Sequence, residues 1–576
     1  MKFQSLLGST DRGKDNSFRV TPARLRVIPL GGLGEIGRNM MAVELGDDIV
    51  VIDAGVLFPD ESMPGIDFVI PDVTFLAQNR ERVRAILVTH GHEDHTGALP
   101  YVLPELDAPV YSSRLTNGLI SVKLREHGLL GSSELHVVEP CTPFSIGGLE
   151  IEFFRMCHSI PDAMGVAIRT PLGVIIHTGD FKIDHTPVDG HTTDFAKLAE
   201  LAEEGVVLLC SDSTYAEMEG YTPSEQVVRA AIDRVVADAD ARIIVATFAS
   251  LISRVQMVID SAVKHSRKVA VVGRSMRNNV NMALDMGYLQ APAGTVVSLR
   301  EARRLPSDEL IVLATGAQGE PTSALVRMSR GEHKDVDIEE GDTVIISSSP
   351  IPGNETLVAR TIDDLYRQGA EVISSRNAMV HVHGHAAREE LKLILNLVRP
   401  TYFVPVHGEH RHLVAHAELA QSLGMCSDDT FVLEDGEVLE ISPTYAGVVD
   451  RLPVDDVYVA GHRLWGRHSA VLEERNRLSS CGVVAVMVSL NAATGQPIRR
   501  PLVESRGFDD PSSAQTLLEN AAQVVHSMLE NQDGEVLDFD YTRAKVTACV
   551  SDYLYKETKR RPTVLTLVEA VDRRTR

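Results

Sequence analysis

The chain has 576 residues, 44% of them hydrophobic and 24% charged, with a formal net charge of −24 at pH 7. That length is too great for one ordinary core and asks for roughly three or four domains. The acidity suits a solvated, soluble surface and repels nucleic acid at long range, so a polyanionic partner is excluded unless local basic patches receive it.

Residues 1–20 read as a tail without structure of its own. From Leu25 short β runs follow one another, LRVIPL, MMAVELG and DIVVIDAG, with GDD (46–48) as a hairpin turn. Between the first two lies PLGGLGEIGRN (29–39), with Gly32, Gly34 and Gly37 spaced as in a dinucleotide fingerprint and Asp53 further on. The helix that fingerprint needs after its third glycine is missing, so the stretch reads as a tight loop on an active-site rim. AILVTH is a buried strand running into THGHEDHTGALP (89–100), and VYSS, LHVVEP, EIEFFRM, GVAIRT and GVIIHTGD continue the strand pattern with few long helices. Near Tyr215 the character changes. Thr222 and Glu225 form a capping-box pattern with Pro223 at the first helical position, and strands then alternate with helices, as in a parallel sheet. Histidine-rich segments return at HVHGHA (381–386) and PVHGEH (405–410). The expected order is a first domain over 21–214, an α/β insertion over 215–372, a return to the first domain over 373–450, a linker over 451–475 and a small α/β domain over 476–576.

Four local basic clusters interrupt the acidity: KHSRK (264–268), GRSMRNN (273–279), LREARR (299–304) and YKETKRR (555–561). The six cysteines are scattered without a CxxC pair, which fits a reducing cytoplasm and argues against a cysteine-rich zinc site. The longest apolar runs, such as GVVLLC (205–210), are of strand length, and MKFQSLLGSTDRGKDNS lacks the apolar core of a signal peptide.

His90, His92, Asp94 and His95 stand together on a strand-to-helix loop. Imidazole nitrogen and carboxylate oxygen suit Zn, Mn or Fe(II). Neighbours on a tight loop point in different directions, so two adjacent ions are expected, His90 and His92 serving one and Asp94 and His95 the other. Further donors sit at the ends of predicted strands: His158 after EIEFF, Asp180 in HTGD and His407 in PVHGE. A carboxylate can bridge two ions, which makes Asp180 the candidate bridge.

This pattern, HxHxDH with a strand-end His, a TGD aspartate and a late His, resembles the metallo-β-lactamase superfamily. The resemblance implies an αββα sandwich with a two-metal site at its edge, and a supporting role for Asp53 in VIDAG. The insertion resembles the β-CASP domain of nucleic-acid nucleases, whose acidic motif is matched by Asp212 in CSDST and whose histidine is matched by His385 in GHA. A histidine at the late position, His407, points to RNA rather than DNA. Within that group PLGGLGEIGRNM, THGHEDHTGALP, VGRSM, TGAQGEP, SSSPIPGNE and the C-terminal domain look like the bacterial ribonuclease J family, over essentially residues 20–576. One departure is visible, His383 where the family more often has Ser or Thr.

The fold class so implied is α/β, a metallo-β-lactamase sandwich interrupted by a β-CASP domain, with a small C-terminal α/β domain. The resemblance implies two divalent ions, Zn or Mn. One is expected on His90, His92 and His158 and the other on Asp94, His95 and His407, with Asp180 shared. His385, oriented by Asp212, would contact the scissile phosphate or protonate the leaving 3′ oxygen. Arg274, Ser347, Ser349, His381, His383 and Gly384 are the expected pocket for a 5′ monophosphate, and a basic channel is expected between the two larger domains. Family members degrade single-stranded RNA 5′→3′ and also cut internally, in RNA processing and mRNA decay, and form homodimers or tetramers, with other RNA-decay proteins as partners. An RNA-binding, weakly catalytic subunit of a degradation complex stays open as the alternative, and a small-molecule hydrolase behind it.

Overall fold

The computed structural model describes residues 24–571 other than 61, 352, 462, 467, 468 and 532–537; the tail expected over 1–20 lies outside the described residues. The chain divides into two units. One takes the chain up to Leu57 and again Ile70–Asp455; the other takes Phe58–Val69 and everything from Asp456.

In the first unit the early β runs pair antiparallel, Leu25–Gly31 with Met40–Leu45 and that strand with Asp48–Ile52. They belong to an eight-stranded sheet that continues through Val83–Leu87, Val110–Ser112 and Leu135–Val137. Its other flank is closed by Glu437–Ser442 and Tyr445–Arg451, the first of which pairs with Leu25–Gly31. A second sheet of six strands runs Tyr402–Val406, Val206–Asp212, Gly173–His177, Met164–Thr170, Leu149–Arg155 and Phe144–Ile146. Alternation along a strand sends successive side chains to opposite faces. Phe153 thus joins the core between the two sheets with Val27, Val50, Leu87, Leu208, Leu439 and Ile441. Its neighbour Phe154 turns outward against the helices Phe195–Glu204, Arg388–Val398 and His410–Ser422, where Leu198, Leu391, Ile394 and Leu419 cover it. This is the αββα sandwich.

The helix Arg114–Glu126 was not foreseen. Its Thr, Val and Ile content and Gly118 hide a helical period, yet Ser113 caps it by accepting a hydrogen bond from the Thr116 amide, and Leu115, Leu119, Ile120 and Leu124 line one buried stripe.

The insertion is a fully parallel six-stranded sheet in the order Val296–Val297, Lys268–Val271, Leu310–Ala314, Ile243–Ala246, Thr343–Ile346, Glu371–Ile373. Helices cover both faces, Val245 facing one core and Ile244 and Ala246 the other. The capping box read from Thr222 and Glu225 is not formed. The helix runs Glu225–Asp238, Ser224 is its cap, and the Glu225 carboxylate instead meets the buried Arg254 at 2.7 Å. Thr222 is drawn away by partners from later in the chain.

In the second unit the segment expected as a linker is built into structure. Val457–Ala460 and Arg463–Gly466 form a hairpin, the Asp67 amide donates to the Val459 carbonyl, and Arg475 of the helix Ala470–Cys481 lies over the Trp465 ring. The strands are only 4 residues long and the second is largely exposed, so this hairpin looked like a connection. The rest is a three-stranded sheet, Leu502–Arg506, Val483–Asn491 and Thr563–Val571, with the helices Pro511–Glu530 and Phe539–Thr558 packed on one face through Val525, Leu529, Val546, Val550 and Leu554. Among the described residues no helix is long and apolar enough to cross a membrane.

Candidate metal centre

Three adjacent strands of the second sheet, Gly173–His177, Val206–Asp212 and Tyr402–Val406, run parallel and end at one edge. Just past or at those ends stand Asp180, Asp212 and His407. Opposite them the strand Val83–Leu87 ends in Thr89 and His90, and the single turn Glu93–Thr96 carries Asp94 and His95. Residues far apart in the chain are thus delivered to one place by strand ends.

The orientation of four of the five imidazoles is fixed from behind. Asp53, almost wholly buried and held at a positive φ of 61°, accepts from the Thr89 amide and hydroxyl and pairs with His95 Nδ1 at 2.8 Å. His90 Nδ1 meets the Thr89 hydroxyl at 3.0 Å, His158 Nδ1 meets the Gly384 carbonyl at 2.8 Å, and His407 Nδ1 meets Asn39 Oδ1 at 3.0 Å. With Nδ1 occupied, the Nε2 atoms face inward. Such outer partners set the tautomer of a metal-binding histidine.

What they face is other donors. His92 Nδ1 lies 3.0 Å from His90 Nε2 and 3.3 Å from His158 Nε2. Asp180 Oδ2 lies 3.2 Å from His95 Nε2, 3.3 Å from His407 Nε2, 3.7 Å from His90 Nε2 and 4.0 Å from His158 Nε2. Asp94 Oδ2 is 3.6 Å from His95 Nε2 and 3.8 Å from His407 Nε2. Ligand atoms of His90, His92 and His158 form one group within 4.8 Å of one another, and those of Asp94, His95, Asp180 and His407 form a second.

These residues fit divalent ions. Tetrahedral metal–nitrogen bonds of about 2.0–2.1 Å place neighbouring ligand nitrogens roughly 3.3 Å apart, the spacing found here. His407 Nε2 is buried, with the Asp180 and Asp94 carboxylates at 3.3 and 3.8 Å, a crowding of donors that a divalent ion would satisfy. The donors are all nitrogen and oxygen, a set that accepts Zn or Mn.

Burial, with His95 close by, pushes His90 well below its ordinary range, and burial takes His92 down to about 4. Burial opposes the charge on His95 and His407 too, but Asp180 and its neighbours win and raise both. Asp180 is itself carried well below the carboxylate range by His407 and His95 against its own desolvation.

His385 sits beside the cluster, its Nδ1 2.8 Å from Asp212 Oδ2 and 3.9 Å from Asp180 Oδ2. Asp212 is held in turn by the Thr214 amide and hydroxyl and by the Phe181 amide. Burial disfavours the charged His385 ring, yet Asp212 raises it to about 9.

The residues expected around a 5′ phosphate are less uniform. Arg274 begins the helix Arg274–Asp285 and is exposed, and Ser349 is half-buried with its carbonyl accepting from Gln318. Ser347 is not at a surface: it is fully buried, accepting from Arg254 and donating to the Val380 carbonyl. His381 keeps a buried Nδ1 without a partner. His383 stacks flat on Tyr215, centroids 3.7 Å apart, and its Nδ1 meets the His385 carbonyl; burial brings the ring down to about 4, so it is neutral and offers a phosphate no charge. Gly384 holds His158 by its carbonyl. Sequence reading missed Asn39, which bonds His407, lies 3.2 Å from His95 Nε2 and reaches the Asp94 carbonyl. The signal was its place at the end of the glycine-rich loop, which does form a rim: Leu33–Gly34 pairs with Gly408–Glu409 beside His407.

An αββα sandwich with a histidine–aspartate cluster at its strand ends, and an α/β domain inserted in it, defines a class of metal-dependent hydrolases. Family models agree: residues 33–245 match the metallo-beta-lactamase superfamily, 240–365 the ribonuclease J beta-CASP domain, 369–433 a Zn-dependent metallo-hydrolase RNA specificity domain and 470–571 the ribonuclease J C-terminal domain. The chain is 45% identical to ribonuclease J of Synechocystis, over 84% of this chain and 75% of that one. It is 42% identical to ribonuclease J of Thermus thermophilus, over 94% and 95%. Against ribonuclease J 1 of Streptococcus pyogenes it is 38% identical, over 97% and 100%. A solved structure of a protein of unknown function from Enterococcus faecalis shares the fold, with a TM-score of 0.53 at 17% identity over 73% of this chain and all of that one. The chain belongs to the ribonuclease J family.

Proposed function

We propose that this chain is a metal-dependent ribonuclease that degrades single-stranded RNA from 5′-monophosphorylated ends in the 5′→3′ direction and also cuts internally, in RNA processing and mRNA decay. The convergence of five histidines with Asp94 and Asp180, and of His385 and its partner Asp212 alongside, carries this reading.

On this reading His90, His92 and His158 would hold one ion and Asp94, His95 and His407 a second, with Asp180 available to both. Divalent ions so held supply what phosphodiester hydrolysis needs, a nucleophile from water near neutral pH and charge to offset the phosphoryl oxygens. Asp53, Thr89, Asn39 and the Gly384 carbonyl keep the ligands aimed. His385 does the proton work. Asp212 fixes one proton on Nδ1 and favours a second on Nε2, which passes to the leaving 3′ oxygen as the water oxygen bonds to phosphorus and the bond from phosphorus to that oxygen breaks. The products are a 5′ phosphate and a 3′ hydroxyl. The RNA reaches the site along a basic channel between the sandwich and the inserted domain, and Arg274 and Ser349 line the 5′ end pocket. All six cysteines are free thiols, which supports action in the cytoplasm, and a homodimer or tetramer working with other RNA-decay proteins is the expected assembly.

The test is a metal-free preparation reloaded separately with Zn and Mn and given 3′-labelled RNA carrying a 5′ monophosphate or triphosphate. Mononucleotides released only from monophosphorylated ends support the reading and show which ion works. Internal cuts alone remove the 5′ pocket from it. No cleavage despite confirmed loading overturns it in favour of an RNA-binding role.

A further inference from the structure

Behind the site lies a carboxylate that the hydrolytic scheme does not use. Glu390, in the first turn of the helix Arg388–Val398, is fully buried. Burying a charged carboxylate is costly unless its oxygens are well bonded. Here one oxygen accepts from the Ile183 amide at 2.6 Å, and the other accepts from the Thr222 amide at 2.7 Å and the Ala387 amide at 2.8 Å. The bond to Ala387 is an ordinary cap at the start of a helix, and the helix N-terminus favours the negative charge. The other two bonds reach into different parts of the chain.

Each of the three segments leads to the metal centre. Ile183 closes the strap that follows Asp180, in which the Phe181 amide donates to Asp212 and the Lys182 amide to the Cys157 carbonyl, next to His158. Thr222 lies where the chain enters the inserted domain, and its hydroxyl donates to the His385 carbonyl at 2.7 Å. Ala387 closes the turn that carries His385. A single carboxylate therefore joins the Asp180 strap, the start of the inserted domain and the His385 turn.

We infer that Glu390 is a positioning residue for the proposed phosphodiester hydrolysis, holding His385 against Asp212 through the Thr222 amide and hydroxyl and in register with Asp180. The inference rests on the ribonuclease reading for its kinetic consequence and on geometry alone for its structural one. In Glu390→Gln one acceptor oxygen becomes an NH2 group aimed at a backbone N–H, so at least one tie becomes a repulsion. Thr222→Val keeps the shape and removes only the hydroxyl link to the His385 carbonyl. Glu389→Gln, next in the chain with its side chain paired to Lys392, is the control.

The test uses the full chain in two states. In the metal-free protein, selectively 15N-labelled at histidine, the proton on His385 Nδ1 is expected to resonate downfield and to be protected from exchange by Asp212. That protection is lost in Glu390→Gln and Thr222→Val and kept in Glu389→Gln. In the metal-loaded protein with 5′-monophosphorylated RNA, kcat falls roughly ten- to hundredfold in the first two variants, as a small misplacement of a reacting group does, while KM and bound metal per chain stay at wild-type values. A protected His385 proton in both variants overturns the inference whether or not the chain cuts RNA. So does a fall in kcat matched by loss of metal, or an equal fall in Glu389→Gln. Should Glu390→Gln not fold, Thr222→Val alone decides by the same two readouts.

Discussion

Gly384 leaves no room for a side chain. A Cβ there would stand 2.5 Å from His158 Cε1 and 2.7 Å from its Nδ1, and these are atoms of a ring already pinned to the Gly384 carbonyl. Gly384→Ala should therefore displace His158 rather than merely crowd it. The expected outcome is loss of bound metal by plasma mass spectrometry and a fall in RNA cleavage of about a hundredfold. Asp212 offers a second test at the same scale. Burial lowers His385, and Asp212, foremost among its acidic neighbours, reverses that to about 9, so in metal-free Asp212→Asn the ring should titrate below the wild-type value. The sign follows for stability: a folded pKa above the unfolded one stabilises fully below pH 6.5, and the gain is lost as pH rises through about 9. Histidine NMR titration of wild type and Asp212→Asn checks both; matching curves would remove Asp212 as the partner that matters. At this scale the candidate ligands stood out because metal chemistry restricts residue types and crowds them. Asn39 and Glu390 were not, since a polar residue in a loop and a glutamate in a first turn look like thousands of others until the fold brings distant amides to them.

Elements decide where those residues meet. The strand Glu437–Ser442 lies late in the chain yet pairs with Leu25–Gly31, and Ile441 is fully buried between the sheets. Ile441→Ala should cost about 2–5 kcal/mol in a urea titration of the metal-free chain, far more than Tyr445→Ala on the exposed next strand. An equal effect of the two would mean the return strands add little to the sandwich. Strand runs were readable through their alternation and through the glycines and prolines between them. The helix Arg114–Glu126 was not, because β-branched residues and a glycine mask its period until Leu115, Leu119 and Leu124 find a surface to cover. The false capping box shows the same limit from the other side. A local pattern at Thr222 and Glu225 lost to stronger bonds with Glu390, His385 and Arg254, all far off in sequence.

For the molecule as a whole, the proposed function would reconcile a net charge of −24 with a polyanionic substrate locally, at the candidate metal centre and at basic clusters such as GRSMRNN (273–279). Ion binding should also be visible as stability. Buried donors crowded within 4.8 Å of one another favour an occupied centre, and a ligand at a hundred times its Kd adds about 2.7 kcal/mol to the folded state. Chelation should lower the thermal midpoint of this unit and Zn or Mn should restore it; a midpoint indifferent to chelator would count against the proposed ligand set. The sequence reading located the sandwich and the insertion, and it passed over the hairpin at Val457–Gly466 because pairing with Phe68–Ile70 is a long-range event.

The interleaving of the sandwich with its insertion bears on how a cell makes the protein. On the ribosome, His90, Asp180 and Asp212 emerge long before His407, and the strand that seals Leu25–Gly31 emerges later still. Domains tend to fold as units while synthesis proceeds. The inserted domain can finish first, and the sandwich must wait for its own return. On the proposed function, a nascent chain would stay inactive toward surrounding RNA until synthesis has passed His407 and the closing strand.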